Sequence, residues 1–469
     1  MALAIDRSTA SPTRALAAFS VELQFDDLPG EVIQRTKDLM LDFLGVALRG
    51  ATTESAATMA RVVAELSPDG ASTVIGYPQS ASPQYAALVN GTSSHSIEMD
   101  DVTTTSSLHP GVAAFPAALA LAEELDASPR DVIAAVVAGY EVIMRVGDAI
   151  NGSEAYKVGF HPTAVAGVFG AAAIGASLLR LDREQAAHAL GIAGSMAAGS
   201  MEYLTDGAWT KRLHPGWAAH SGILAAKMAR AGYVGPTTIF EGPHGFLTGY
   251  TPTPSPERLT EDLGDGFKLL ETNIKVHACC RYMHGPIDCV LRLVTENNLQ
   301  PDQIESMSCV VLTGGRSLVA DPIADKQNPT NTVDAQFSMP FGAAVAAVKR
   351  TAGLDAFSQD IVDDPDVRAL LPRISCESDP AMDAAFPARW PARVVIRLTD
   401  GRELQHEIPD PRGSESEPLG WEDLAAKFTE LTAPIVSESR RSSILEAVNA
   451  LEGGQSVRPL GRLLRAAPD

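Results

Sequence analysis

The chain predicts a mainly α protein with a smaller α+β domain: a large all-helical domain built from both chain ends, and an inserted α+β lid domain. Three observations lead there. Apolar residues recur at helical spacing from Leu16 to about Gly249, strand-like β-branched runs follow, and a helical pattern returns from Trp421. At 469 residues the chain exceeds the usual size of one domain, so two are expected. The expected boundaries are residues 1–267 for the first helical part, 268–410 for the lid and 411–469 for the C-terminal helical part.

Taken in order, EVIQRTKDLMLDFLGVAL, PRDVIAAVVAGYEVIMRVGDAI and REQAAHALGIAGSMAAG carry helical periodicity with Gly or Pro at their ends. The apolar stretch Thr163–Leu179 comes near the length of a membrane span, but its alanines and glycines suit a buried helix packed closely on its neighbours. TPTPSPE, from Thr251 to Glu257, breaks the helical half. SMSCVVLTGG near Val310 and RVVIRLTDGRELQHEI from Arg393 then read as strands, and Asp400-Gly401 marks a hairpin in the second. Between them TVDAQFSMPFGAAVAAVKR reads as a helix. Ile408–Gly420 reads as a linker before WEDLAAKFTEL and ESRRSSILEAVNALE, whose helices are expected to pack back onto the first domain.

The formal net charge of −21 argues against nucleic acid and anionic membranes as partners, since phosphate binding needs a basic footprint. Any anionic ligand must meet a locally basic site. The five cysteines, Cys279, Cys280, Cys289, Cys309 and Cys376, show no repeated spacing and no C-x-x-C, which points to a reducing cytoplasm and away from a disulfide framework or a cysteine-held metal. Asp6 and Arg7 interrupt the N-terminus where a secretory signal needs an apolar run. The sequence has no Walker loop, no G-x-S-x-G elbow and no dinucleotide fingerprint, so no cofactor is expected.

His109-Pro110, His161-Pro162 and His214-Pro215 each precede a run of small residues. Proline suits the first helical position, so each pair reads as a helix start with an imidazole beside unpaired N–H groups, a place that favours anions. Around the first pair, NGTSSHSIEMDDVTTTSSLHPG gathers His95, Glu98, Asp100, Asp101 and His109. Such acids serve as caps or solvated loop groups, or with His109 as cation ligands, although no ligand spacing is present and no metal is assigned. Around the third pair, Lys211, with Arg212 beside it, is either a surface lysine or, from its place before the proposed helix start, a carboxylate-binding group, while His214 is read as shaping the helix entrance and His220 as structural. A third cluster, NIKVHACCRYMHGPIDCV, holds Lys275, His277, Cys280, Arg281 and His284; Cys280 is either a nucleophile activated by these cations or, like Cys279 and Cys289, a buried structural thiol. The natural ligand of such groups in an acidic protein is a small di- or tricarboxylate. Cations that stabilise an enediolate, with a histidine to take the proton, allow proton abstraction α to a carboxylate.

The motifs NGTSSHSIEMDD with LHPG, GFHPTAVAG, TKRLHPGWAAHSG, KVHACCRYMHGPID and DAQFSMPFG, in this order, resemble the MmgE/PrpD family, whose members include 2-methylcitrate dehydratases, cis-aconitate decarboxylases and iminodisuccinate epimerases. The resemblance runs over nearly the whole chain. It implies a helical domain made from both chain ends, an α+β lid, a homodimer and a metal-free active site at the domain junction. Carried over motif by motif, the catalytic positions fall on Asp101, His109, His161, Lys211 and Lys275. Arg212, Cys280, Arg281 and His284, their neighbours in the basic clusters, are expected as substrate contacts. Cys280 stands where some family decarboxylases have histidine, and Met339 where a tyrosine is expected. The implied activity is that of a hydro-lyase like 2-methylcitrate dehydratase; decarboxylation, epimerisation and a non-catalytic carboxylate-binding role are the alternatives.

Overall fold

The computed structural model describes residues 11–466, so Asp6 and Arg7, on which the reading of the N-terminus rests, lie outside the described residues. The chain divides into two compact units, one running to Thr272 and resuming at Gly420, the other spanning Asn273–Leu419. Both cuts fall a few residues beyond the composition changes, because flanking segments are bonded locally. Lys268 pairs with Asp148 and Leu269 N–H donates to Glu141, which keeps this turn in the first unit. Ile274 N–H donates to the Gly413 carbonyl, which ties the expected linker into the second.

The first unit begins with α1 (Pro12–Glu22), α2 (Gly30–Gly50) and α3 (Glu54–Leu66), then α4 (Pro83–Ser94), α5 (Gly111–Leu125) and α6 (Pro129–Ala149). It continues with α7 (Gly152–Val158), α8 (Pro162–Leu178), α9 (Arg183–Gly194) and α10 (Thr210–Arg230), and is completed by helices Trp421–Thr432, Glu438–Asn449 and Arg458–Leu464. Local chemistry sets the starts. Thr53, Ser128 and Asp182 cap α3, α6 and α9 by accepting backbone N–H bonds, and Pro162 opens α8. α8 is the buried centre, packed against α5, α6, α9 and α10. Its small residues permit this: a Cβ on Gly170 would meet Ile143 at 2.1 Å, and one on Gly139 would meet Ile174 at 2.5 Å. Among the described residues no helix is long and apolar enough to cross a membrane.

Two sequence expectations need correction in this unit. It is not wholly helical, because β1 (Ser72–Thr73) pairs antiparallel with β2 (Ser80–Ala81), strands too short to show alternation in sequence. The third His-Pro pair is not a helix start: α10 begins at Thr210, which places Lys211 in its first turn and His214-Pro215 inside. Pro215 lies so near the start that its missing N–H costs only one early intrahelical bond.

In the second unit a four-stranded sheet has the order β4-β3-β5-β6, from β3 (Ile304–Val310), β4 (Ile374–Glu377), β5 (Ala392–Leu398) and β6 (Glu403–Ile408). β3 runs parallel to β4, with Met307 opposite Ile374, and antiparallel to β5, with Met307 opposite Ile396. β5 and β6 form the expected hairpin, with Gly401 at φ 88° in its turn. Helix His284–Glu296 packs on β5 and β6 and against helix Met339–Lys349. The helix expected from Thr332 to Arg350 is broken at Phe337-Ser338, where Ser338 accepts Phe341 N–H and starts a new helix with Pro340 in its first turn.

Candidate active site

In the first unit the polar segment of residues 90–111 is buried rather than solvated. His95, Glu98, Asp100, Asp101 and His109 are each at most 9% exposed, so every one of their polar atoms bears on the energetics. His95 caps the C-terminus of α4. Its Nδ1 lies 2.8 Å from Asp100 Oδ2, and His109 Nδ1 lies 2.9 Å from the same oxygen and 2.6 Å from the Asp101 carbonyl. A carbonyl can only accept, so His109 Nδ1 carries a hydrogen, and in the neutral ring the lone pair is on Nε2. His95, Asp100 and His109 bring donor atoms within 4.8 Å of one another. That protonated Nδ1 leaves His109 no lone pair there for a cation.

The rings continue as an array. His95 makes an edge contact with His109 at 5.0 Å between centroids and stacks on His161 at 5.7 Å. His161 Nδ1 and His214 Nδ1 share a hydrogen bond of 3.0 Å, and Tyr203 packs against both rings. Helix packing builds this convergence. His109 N–H donates to Thr163 Oγ1, tying the turn before α5 to the first turn of α8. A Cβ on Gly216 would lie 2.2 Å from the Leu88 carbonyl oxygen, so glycine is what lets α10 seat His214 beside α4. Burial pushes His95 and His214 down to about 4 and His161 well below its usual value, so all three rings are neutral.

Asp101 is tied to α5 and α6. Its carboxylate accepts Gly111 N–H at 3.0 Å and Tyr140 O–H at 2.7 Å, and only its backbone carbonyl meets His109. Burial pushes this carboxyl up to about 7 against the Tyr140 bond, with Asp100 and Asp42 adding to the rise. Lys211, in the first turn of α10, forms a buried ion pair with Glu98, whose backbone sits in the left-handed region at φ 57°. Arg212, next to Lys211 on α10, donates to Ser55 Oγ at 3.1 Å at the start of α3 and also feels the charge of Glu98. His220 lies apart, stacked on Trp217.

The second unit holds its own cluster. His277 Nε2 lies 2.8 Å from Asp288 Oδ1, and Arg281 donates to His284 Nδ1 and to the Arg412 carbonyl, both at 3.2 Å. His284 is thus an acceptor at Nδ1 and faces the Cys279 carbonyl through Nε2; burial and then Arg281 hold it neutral. Lys275 is buried, and Cys280 N–H donates to the Gln336 carbonyl. Burial raises Cys289 to about 12, the behaviour of an inert structural thiol.

Sequence reasoning brought out Asp101, His109, His161 and Lys211, which converge, but not His95, Glu98, Tyr140 or His214 as site groups. One signal was present: Lys211 and His214 are three apart and share a face once the helix begins at Thr210.

The chain is similar to known proteins over nearly its whole length. Over 96% of this chain, a cis-aconitate decarboxylase-like protein, oryM, of Aspergillus oryzae is 29% identical, with 97% of its own length covered. The cis-aconitate decarboxylase of Aspergillus terreus is 28% identical over 96% of this chain and 95% of its own length, and the human cis-aconitate decarboxylase 29% over 97% and 95%. Residues 14–259 match the MmgE/PrpD N-terminal domain and residues 277–453 the MmgE/PrpD C-terminal domain, and with both halves matched the chain belongs to the MmgE/PrpD family.

Proposed function

We propose that this chain is a cofactor-independent lyase that moves a proton at the carbon α to a carboxylate of a small di- or tricarboxylate. The observation that carries the reading is His109, its lone pair on Nε2, set beside the neutral rings of His95, His161 and His214 and the buried cation of Lys211. A neutral imidazole takes the proton as general base, and an ammonium a turn away stabilises the charge that builds on the carboxylate oxygens. His109 or His161 is the acid–base group, and Lys211 the carboxylate contact. On the motifs, Arg212 in the first unit and, in the second, Lys275, Cys280, Arg281 and His284 are further carboxylate-binding groups.

Dehydration of a 2-methylcitrate-like hydroxy acid is the first outcome. A second, decarboxylation of cis-aconitate, is favoured by the names of the relatives just described. Incubation with 2-methylcitrate, citrate and cis-aconitate in D₂O tests the common step, with product analysis separating alkene from CO₂ formation. Deuterium at an α-carbon is expected. Ligand-induced stabilisation without exchange would replace the enzyme reading with a binding role. His109→Ala and His161→Ala each lower turnover about a hundredfold or more if these rings handle the proton.

A further inference from the structure

We propose that Asp100 is the positioning residue of this site: its Oδ2 accepts the Nδ1 hydrogen of His95 and lies 2.9 Å from His109 Nδ1, whose hydrogen the Asp101 carbonyl accepts, so that one carboxylate braces both rings with the basic lone pair on Nε2. The proposal rests on the reading of His109 as a proton-transfer group. One oxygen atom meets two imidazole nitrogens at 2.8 and 2.9 Å, and Asp100 is 2% exposed, so little water competes for it.

For His109 the assignment follows from its second neighbour, the Asp101 carbonyl, which accepts only. The choice at His95 is decided by its other nitrogen. His95 Nε2 is fully buried with no hydrogen-bond partner. A buried N–H without an acceptor is among the rarest and costliest features of a folded protein, so the hydrogen of neutral His95 belongs on Nδ1, facing Asp100. Burial keeps His95 neutral, which leaves it a single hydrogen to place.

The arrangement has a chemical use. When a ring takes a proton at Nε2 it becomes an imidazolium, and a carboxylate oxygen against its Nδ1–H stabilises that cation without moving. Asp100 touches no reacting atom in this scheme; it acts through the two rings.

The experiment uses the full chain labelled with ¹⁵N at histidine, with His95→Gln and His109→Gln to assign the signals. Two-bond ¹H–¹⁵N spectra distinguish protonated from bare ring nitrogens. Wild type is expected to show hydrogen on Nδ1 and a bare Nε2 at both positions, and an Nε2–H at either one overturns the proposal. Asp100→Asn is expected to lower kcat about a hundredfold or more toward 2-methylcitrate or cis-aconitate, whichever turns over, with KM within a few-fold, as when a histidine's carboxylate partner is lost elsewhere. Turnover within a few-fold of wild type also overturns it. If Asp100→Asn does not fold, the wild-type spectrum decides. Undiminished turnover in His109→Gln and in His161→Gln instead removes the functional reading, while the tautomers still report on Asp100.

Discussion

Glu98 holds a left-handed backbone, about 1 kcal/mol or more above relaxed conformations for such a side chain, and there it meets Lys211. Both partners are nearly inaccessible, so Lys211→Met should destabilise the fold by about 3–5 kcal/mol by stranding the buried carboxylate. Adding Glu98→Gln should return most of the stability in urea denaturation but none of the turnover. A double variant as active as its parent would show that the pair only supports the fold. The titrating groups pull in opposite directions with pH. His95 and His214, at about 4 in the fold against 6.5 unfolded, contribute stability that is full above 6.5 and lost as pH falls toward 4. Asp101, facing Tyr140, Gly111 N–H, Asp100 and Asp42, titrates at about 7 against 3.8 unfolded, so the fold binds the extra proton and loses stability as pH rises through that window. Asp101→Asn removes the second effect: its stability relative to wild type should climb from pH 4 to pH 8 by on the order of a few kcal/mol, read from urea midpoints. A difference that stays flat with pH would count against it. At this scale the sequence marked the residues that sit next to proline or in basic clusters. It gathered His95 and Asp100 into one polar segment but gave them no role, because their importance comes from being buried beside each other, and no spacing rule encodes burial of a polar loop.

Helices meet at glycines in this fold, and those meetings aim the site. Gly91 and Gly216 face each other where α4 crosses α10, and a Cβ on Gly91 would lie 2.6 Å from Gly216 Cα. Gly216→Ala should therefore cost about 1–3 kcal/mol by overpacking and should lower turnover too, as it shifts His214 and Lys211 away from His95. Gly30→Ala is the matched control: nothing lies within 4 Å of its added Cβ at the start of α2, and thermal melts should show no loss, or a gain of about 0.4–1 kcal/mol. Helical periodicity in Ala- and Gly-rich runs made most of these elements legible, and Asp400-Gly401 did the same for the β5–β6 hairpin. The start of α10 was not legible. Trp209 caps it without any side-chain hydrogen bond, whereas His214-Pro215 offers the stronger textual signal in the wrong place.

The first unit is closed by the last part of the chain. Lys427, on the helix Trp421–Thr432, reaches Asp42 Oδ1 at 2.5 Å and the Met99 carbonyl at 2.8 Å, one residue before Asp100. Phe428 and Leu431 of the same helix lie against Gly45 of α2. A chain ending at Leu419 should therefore melt at lower temperature and lack turnover, and residues 420–469 supplied as a separate peptide should restore part of both. Restoration of neither by a bound peptide would mean that covalent continuity itself is needed. Composition alone made the return of helices at Trp421 legible; their docking on α2 rests on burial.

That closure fixes an order of events at the ribosome. Residues 273–419 emerge complete while the segment that carries Lys427 is still unmade, so the intervening unit can finish folding before the unit encoded first. The imidazole array acquires this brace only after the whole intervening unit has been made, and a product truncated before Gly420 carries every histidine of the array without the lysine that steadies its loop.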